Sequence, residues 1–149
     1  MATRLSRQEA DQLAAMPKLI SEQIRWTRTG ARVETYRFLA AVACGETETS
    51  LVLHGVVGKT NWSFVLMVEP DTPIRKLTVH GRGHANPDGS DAGAHHKHVW
   101  DEDSKDRETY YPTDIDFTDI NAALLGFLAE CTITVPISPE TLIVERRLK

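Results

Sequence analysis

The sequence predicts an α+β domain: an antiparallel β-meander of about five strands, with an N-terminal helix and a C-terminal helix packed on the sheet. Three observations predict it. Residues 6–16 and 118–130 carry apolar side chains at helical spacing. Between them, runs such as Leu51 to Val57 and Trp62 to Val68 alternate with the period of a strand. The links between these runs are too short to hold crossover helices, so neighbouring strands must be antiparallel.

Each element has its own signal. Ser6-Arg7-Gln8-Glu9 has the form of a capping box, with Ser at the N-cap and Glu three residues later. Ala10, Leu13 and Ala14 give the helix its apolar face, and Pro17 ends it near Met16 because proline lacks the N–H and clashes with the preceding turn. Pro17 is expected to begin a second helical piece carrying Leu19, Ile20 and Ile24, with Trp26 packing behind it. Thr29-Gly30 breaks the pattern. Strands are expected over Arg32 to Ala43, Leu51 to Val57, Trp62 to Val68 and Ile74 to His80. Turns at Cys44 to Thr49, Gly58 to Asn61 and Pro70 to Pro73 separate them. Simple alternation puts Ile74, Lys76, Thr78 and His80 on one face of the fourth strand. His95 to Trp100 is the fifth strand, with His96, His98 and Trp100 on one face and Lys97 and Val99 on the other. Asp101 to Thr113 reads as an irregular surface excursion. Thr118 is the expected N-cap of the last helix, with Ile120, Leu124, Phe127 and Leu128 on its apolar side, running to about Glu130. Thr132 to Lys149 reads as an edge segment and a charged terminus.

No repeat or linker divides the 149 residues, so residues 1–149 are read as a single domain. The net charge of −4 excludes the global basic signature of a nucleic-acid binder and leaves only local patches open. Cys44 and Cys131 lie in apolar surroundings without a Cys-x-x-Cys partner, which suits two small buried thiols. No apolar run reaches membrane-spanning length and no apolar signal core stands at the N-terminus. The expected location is the cytoplasm, without a membrane partner.

Five of the six histidines fall between His80 and Trp100. Asn86-Pro87-Asp88-Gly89, at the centre, is a strong turn signal. The stretch reads as two arms folded back on each other, His84 at the mouth of the turn and His96 and His98 on the returning arm. His54 is a lone histidine in an apolar strand, where a hydrogen-bonded structural role is expected. Gly81-Arg82-Gly83 lacks the rest of a dinucleotide fingerprint, and neither a P-loop nor a nucleophile elbow is present.

Three stretches carry a resemblance to a family. Leu5 to Asp11 continues through Met16-Pro17-Lys18. His84-Ala85-Asn86-Pro87-Asp88-Gly89 is followed by His96-Lys97-His98. Phe127 to Ile133 closes the set. Together they resemble a bacterial domain family of unknown function that occurs in genomes and mobile elements. The sequence departs from that family's pattern at Trp100, where a tyrosine nearer to His98 is the rule. The resemblance implies a fold class and a site.

The residue types themselves point to three chemistries. The first is an RNA hydrolase, read as the toxin of a two-gene module, needing no cofactor. Histidines suit the two proton transfers of metal-independent RNA cleavage, and cations stabilise the charge that develops at phosphorus. His84, His96 and His98 would transfer protons, Arg82 would supply charge and Tyr110 could assist. The partners would be RNA or a protein encoded nearby. The second is a metal centre. His-x-His on a strand sets two imidazoles on one side, with His80, His84 or Asp88 as a third ligand. The third is a non-enzymatic, phage- or defence-associated interaction protein, in which the histidines only satisfy a polar hairpin.

Overall fold

A computed structural model of the chain describes residues 5–22, 24–29, 35–45, 49–58, 61–69, 72–80, 93, 95–103, 105–110, 112–115 and 118–135. The first helix, α1, spans Arg7–Ala15. Its capping box forms as the sequence dictates: Glu9 N–H donates to Ser6 Oγ at 3.1 Å, and Ser6 N–H donates to Glu9 Oε1 at 3.1 Å. Two of the four orphan donors of a helix start are satisfied this way. Ala10, Leu13 and Ala14 are buried.

Pro17 does not start a helix. Lys18–Leu19 forms a two-residue strand, β1, paired in parallel with the last described strand, Ile133–Thr134. Lys18 and Ile20 are buried and Leu19 is exposed, the period of a strand rather than of a helix. The backbone is held from two sides, because Leu19 also exchanges hydrogen bonds of 2.9 Å with Ala43.

The main sheet has seven strands where the sequence suggests about five, all antiparallel and in chain order. They are β2 (Thr27–Thr29), β3 (Thr35–Val42), β4 (Leu51–Val57), β5 (Trp62–Val68), β6 (Thr72–Val79), β7 (His96–Asp101) and β8 (Lys105–Tyr110). The two unforeseen strands, β2 and β8, are the edges. An edge strand pairs on one side only and keeps polar residues, so it shows little hydrophobic alternation. Thus the stretch read as an irregular excursion after Asp101 contains a strand.

Ile120–Glu130 forms α2, and Ile133–Thr134 forms β9. The N-cap of α2 is Asp119, one residue beyond the expected Thr118; Asp119 Oδ1 accepts from Asn121 N–H at 2.9 Å and Ala122 N–H at 3.2 Å. Both helices cover one face of the sheet. Phe38, Leu53, Val57, Phe64, Leu66, Leu77 and Val79 point to that side and join Ile120, Leu124 and Phe127 in one core. The Phe64 and Phe127 rings lie 6.3 Å apart between sheet and α2.

Two bulges change the faces that alternation predicts. On β6, Leu66 pairs with Arg75 but Met67 pairs with Pro73, so Ile74 is an extra residue. Ile74 turns into the core instead of joining Lys76 and Thr78. On β7 the register shifts between Val99 and Asp101, and Trp100 swings to the helix side. There its indole N–H donates to the Leu5 carbonyl at 2.8 Å. Trp100 therefore does not share a face with His96 and His98.

Two lysines are buried at the helix–sheet junction. Lys18 Nζ donates to the carbonyls of Ala14 at 2.8 Å, Met16 at 2.6 Å and Cys131 at 2.5 Å. One ammonium thereby satisfies the C-terminal carbonyls of both helices, where cations are favoured. Lys97, opposite Leu77 on the core face, lies 2.8 Å from Asp114 Oδ1 and 2.9 Å from Glu130 Oε2. The contact with Glu130 is an ion pair without hydrogen-bond alignment. Cys44 and Cys131 are free and buried, and burial pushes the Cys131 thiol up to about 12. Among the described residues no helix is long and apolar enough to cross a membrane.

Candidate functional site

The sheet has a second face that the helices do not cover. The pairing register runs one row of that face through Leu39, His54, Val65, Lys76, His98 and Thr109, one residue from each of β3 to β8. The next row contains Arg37, Val56, Ser63, Thr78 and His96. His96 and His98 are therefore neighbours on β7, as their i, i+2 spacing requires. Their ring centroids lie 4.7 Å apart at an interplanar angle of 63°. Both are buried, at 3% and 5% exposure.

The orientation of His96 has a local cause. Gly93 takes φ +85°, a left-handed conformation that suits glycine, just before β7. Its carbonyl stands 2.9 Å from His96 Nδ1. A carbonyl can only accept, so Nδ1 carries the proton and Nε2 is left as the basic nitrogen of the neutral ring. The ring is thus fixed in position and tautomer by its own chain.

A second histidine pair lies at the same end of β6 and β7. The His80 and His95 rings are 4.7 Å apart, and Trp62 packs edge-on against His80 at 5.3 Å. His80 has φ +58° and donates its backbone N–H to His95 Nδ1 at 3.1 Å. When neutral, His95 therefore carries its proton on Nε2, the opposite tautomer to His96. Burial, followed by the nearby His80 and His96, lowers the pKa of His95.

Of the site residues suggested by the sequence, the structure brings His96 and His98 together. Arg82 and His84, with the Asn86 to Gly89 turn, lie outside the described residues. Tyr110 pairs with Lys97 in the register and so belongs to the helix face, away from the histidines. Its hydroxyl donates to Glu130 Oε1 at 3.1 Å, and burial together with Glu130 raises its pKa. Lys97, already expected on the opposite face, is committed to Asp114 and Glu130 there. Among the described residues no three His, Cys, Asp or Glu side chains are arranged to hold a metal ion.

Sequence reasoning misses two features. His95 carries no signal of its own, because its contact with His80 depends on where β6 ends and β7 begins. His54 is expected to be hydrogen-bonded, yet its ring makes no hydrogen bond among the described residues. It sits half-buried on the uncovered face, its pKa lowered by burial and then by Arg37. Only the cross-strand register reveals the apolar neighbours Leu39 and Val65 on either side.

Fold and site define an α+β domain whose meander carries a buried histidine pair on the face opposite the helices. The model of a family of unknown function, DUF6978, matches residues 5–133, and the chain belongs to that family. No curated protein and no solved structure matches the chain.

Proposed function

We propose that the chain is a histidine-based RNA hydrolase, the toxin of a two-gene module of a bacterial mobile element, with His96 and His98 as its acid–base pair. The observation that carries this reading is the 2.9 Å contact between His96 Nδ1 and the Gly93 carbonyl, beside a second imidazole at 4.7 Å. It places the proton of the neutral His96 ring on Nδ1, so Nε2 is the ring nitrogen that can take a proton. In the proposed reaction Nε2 takes the proton of a ribose 2′-hydroxyl, and the freed oxygen attacks the adjacent phosphorus. The bond to the 5′-oxygen breaks, and His98, entering as imidazolium, gives that oxygen its proton. A 2′,3′-cyclic phosphate and a 5′-hydroxyl end result. His84 and Arg82 complete the proposed set, Arg82 neutralising charge at phosphorus. Tyr110 is given no part, since it is bonded to Glu130 on the other face.

The test is cleavage of a labelled single-stranded RNA by the purified chain in EDTA, with analysis of the product ends. Cyclic phosphate ends are expected, with rates about 10²-fold or more lower in His96→Ala and in His98→Ala and unchanged in Tyr110→Phe. Equal rates in wild type and both histidine variants, or no cleavage at all, would remove the proposal. Cleavage that EDTA abolishes and Mn²⁺ restores would transfer the pair to a metal-ligating role.

A further inference from the structure

The same uncovered face holds a groove about 780 Å³ in volume over β3, β4 and β5, well away from β7. That size is typical of small-molecule sites. Its floor is apolar: Val52, Met67 and Leu39, the last 72% exposed. His54 lies in the middle of the floor with both ring nitrogens free of hydrogen bonds among the described residues. Arg25 and Arg37 stand at the rim, exposed, and neither is paired with a carboxylate among the described residues. The register separates the charges. Arg37 lies beside the row of Leu39 and His54, whereas Glu69, whose N–H bonds the Ser50 carbonyl, closes the opposite end.

We propose that this groove binds an organic anion with an apolar body, the class represented by a medium-chain carboxylate. The apolar body would cover Leu39, Val52 and Met67, and the carboxylate would take the two arginines, which can bind it in forked geometry. His54 is neutral near pH 7, because burial and Arg37 oppose its charging. It therefore presents one donor and one acceptor to the ligand without adding charge. Glu69 disfavours a second anionic group at the far end, so the ligand carries its charge at one end only. The inference is independent of RNA hydrolysis, which uses β7.

Titration of the ¹⁵N-labelled full chain with decanoate, followed by NMR, tests it, with decanamide as the uncharged counterpart. Saturable shifts are expected at Leu39, Val52, His54 and Met67. The dissociation constant should rise by roughly tenfold in Arg25→Gln/Arg37→Gln and for decanamide, as expected for the loss of a charge-assisted contact. Leu39→Glu should weaken decanoate further. All three substitutions are at exposed positions, so dispersed spectra verify that the variants remain folded. The proposal is overturned by the absence of saturation, by shifts centred elsewhere, or by arginine variants and decanamide that bind as wild type and decanoate do.

Discussion

The Lys18 ammonium donates to three carbonyls that close two helices, from an environment with 4% exposure. Burial holds its pKa below the ordinary lysine value, so the charged contacts work against a desolvation cost. Lys18→Met keeps the aliphatic stem and removes every donor. It is expected to lower stability by about 2–4 kcal/mol, since buried acceptors left unsatisfied are costly. Urea unfolding checks this: the midpoint should fall while the slope stays constant. Gly55 is sensitive for the opposite reason. A Cβ there would run into the Phe38 ring, which itself packs edge-on against Trp26 at 4.6 Å. Gly55→Ala is expected to cost about 1–3 kcal/mol by overpacking, measurable in the same unfolding assay. His54 supplies a pH effect. Its folded pKa lies below 6.5, so on acidification the unfolded chain binds the proton first. Stability must then fall as the pH drops through 6.5 towards the folded value. His54→Gln should flatten that slope in melting curves recorded between pH 7.5 and 5.5, while His95, shifted in the same direction, keeps part of it.

At the scale of elements, local signals are legible in the sequence and non-local ones are not. The capping box of α1 and the alternation of β4 and β5 are written in consecutive residues, and these elements form within a residue or two of expectation. The bulges at Ile74 and Trp100 leave no comparable mark, since one extra residue inverts the facing of its neighbours along the strand without altering composition. The edges β2 and β8 escape notice because their pairing is dictated by the free backbone of β3 and β7 rather than by apolar side chains. The parallel pair β1–β9 joins residues more than a hundred positions apart, which no window can capture. The candidate site divides along the same line. The shared face of His96 and His98 comes from period-two geometry alone. The groove at His54 exists only once three strands are aligned in register.

For the whole molecule, the sheet separates two chemistries by its faces. The helix side buries the core and confines Lys97, Tyr110, Asp114 and Glu130 to one ionic and hydrogen-bonded network. The other side carries Arg37, His54, Lys76, His96 and His98, and among its described strand positions no carboxylate. An acidic chain thus keeps its described strand positions on this face free of negative charge, with Glu69 standing just beyond the end of β5. The pairing of Lys18 with the Cys131 carbonyl has a last consequence, for the nascent polypeptide. α1 packs on β6 and β7, but the Lys18 junction between the two helices stays open on a growing chain until Cys131 has left the ribosome. A nascent chain stalled with Cys131 still inside the exit tunnel should be protease-sensitive, and the chain freed from the ribosome should be resistant.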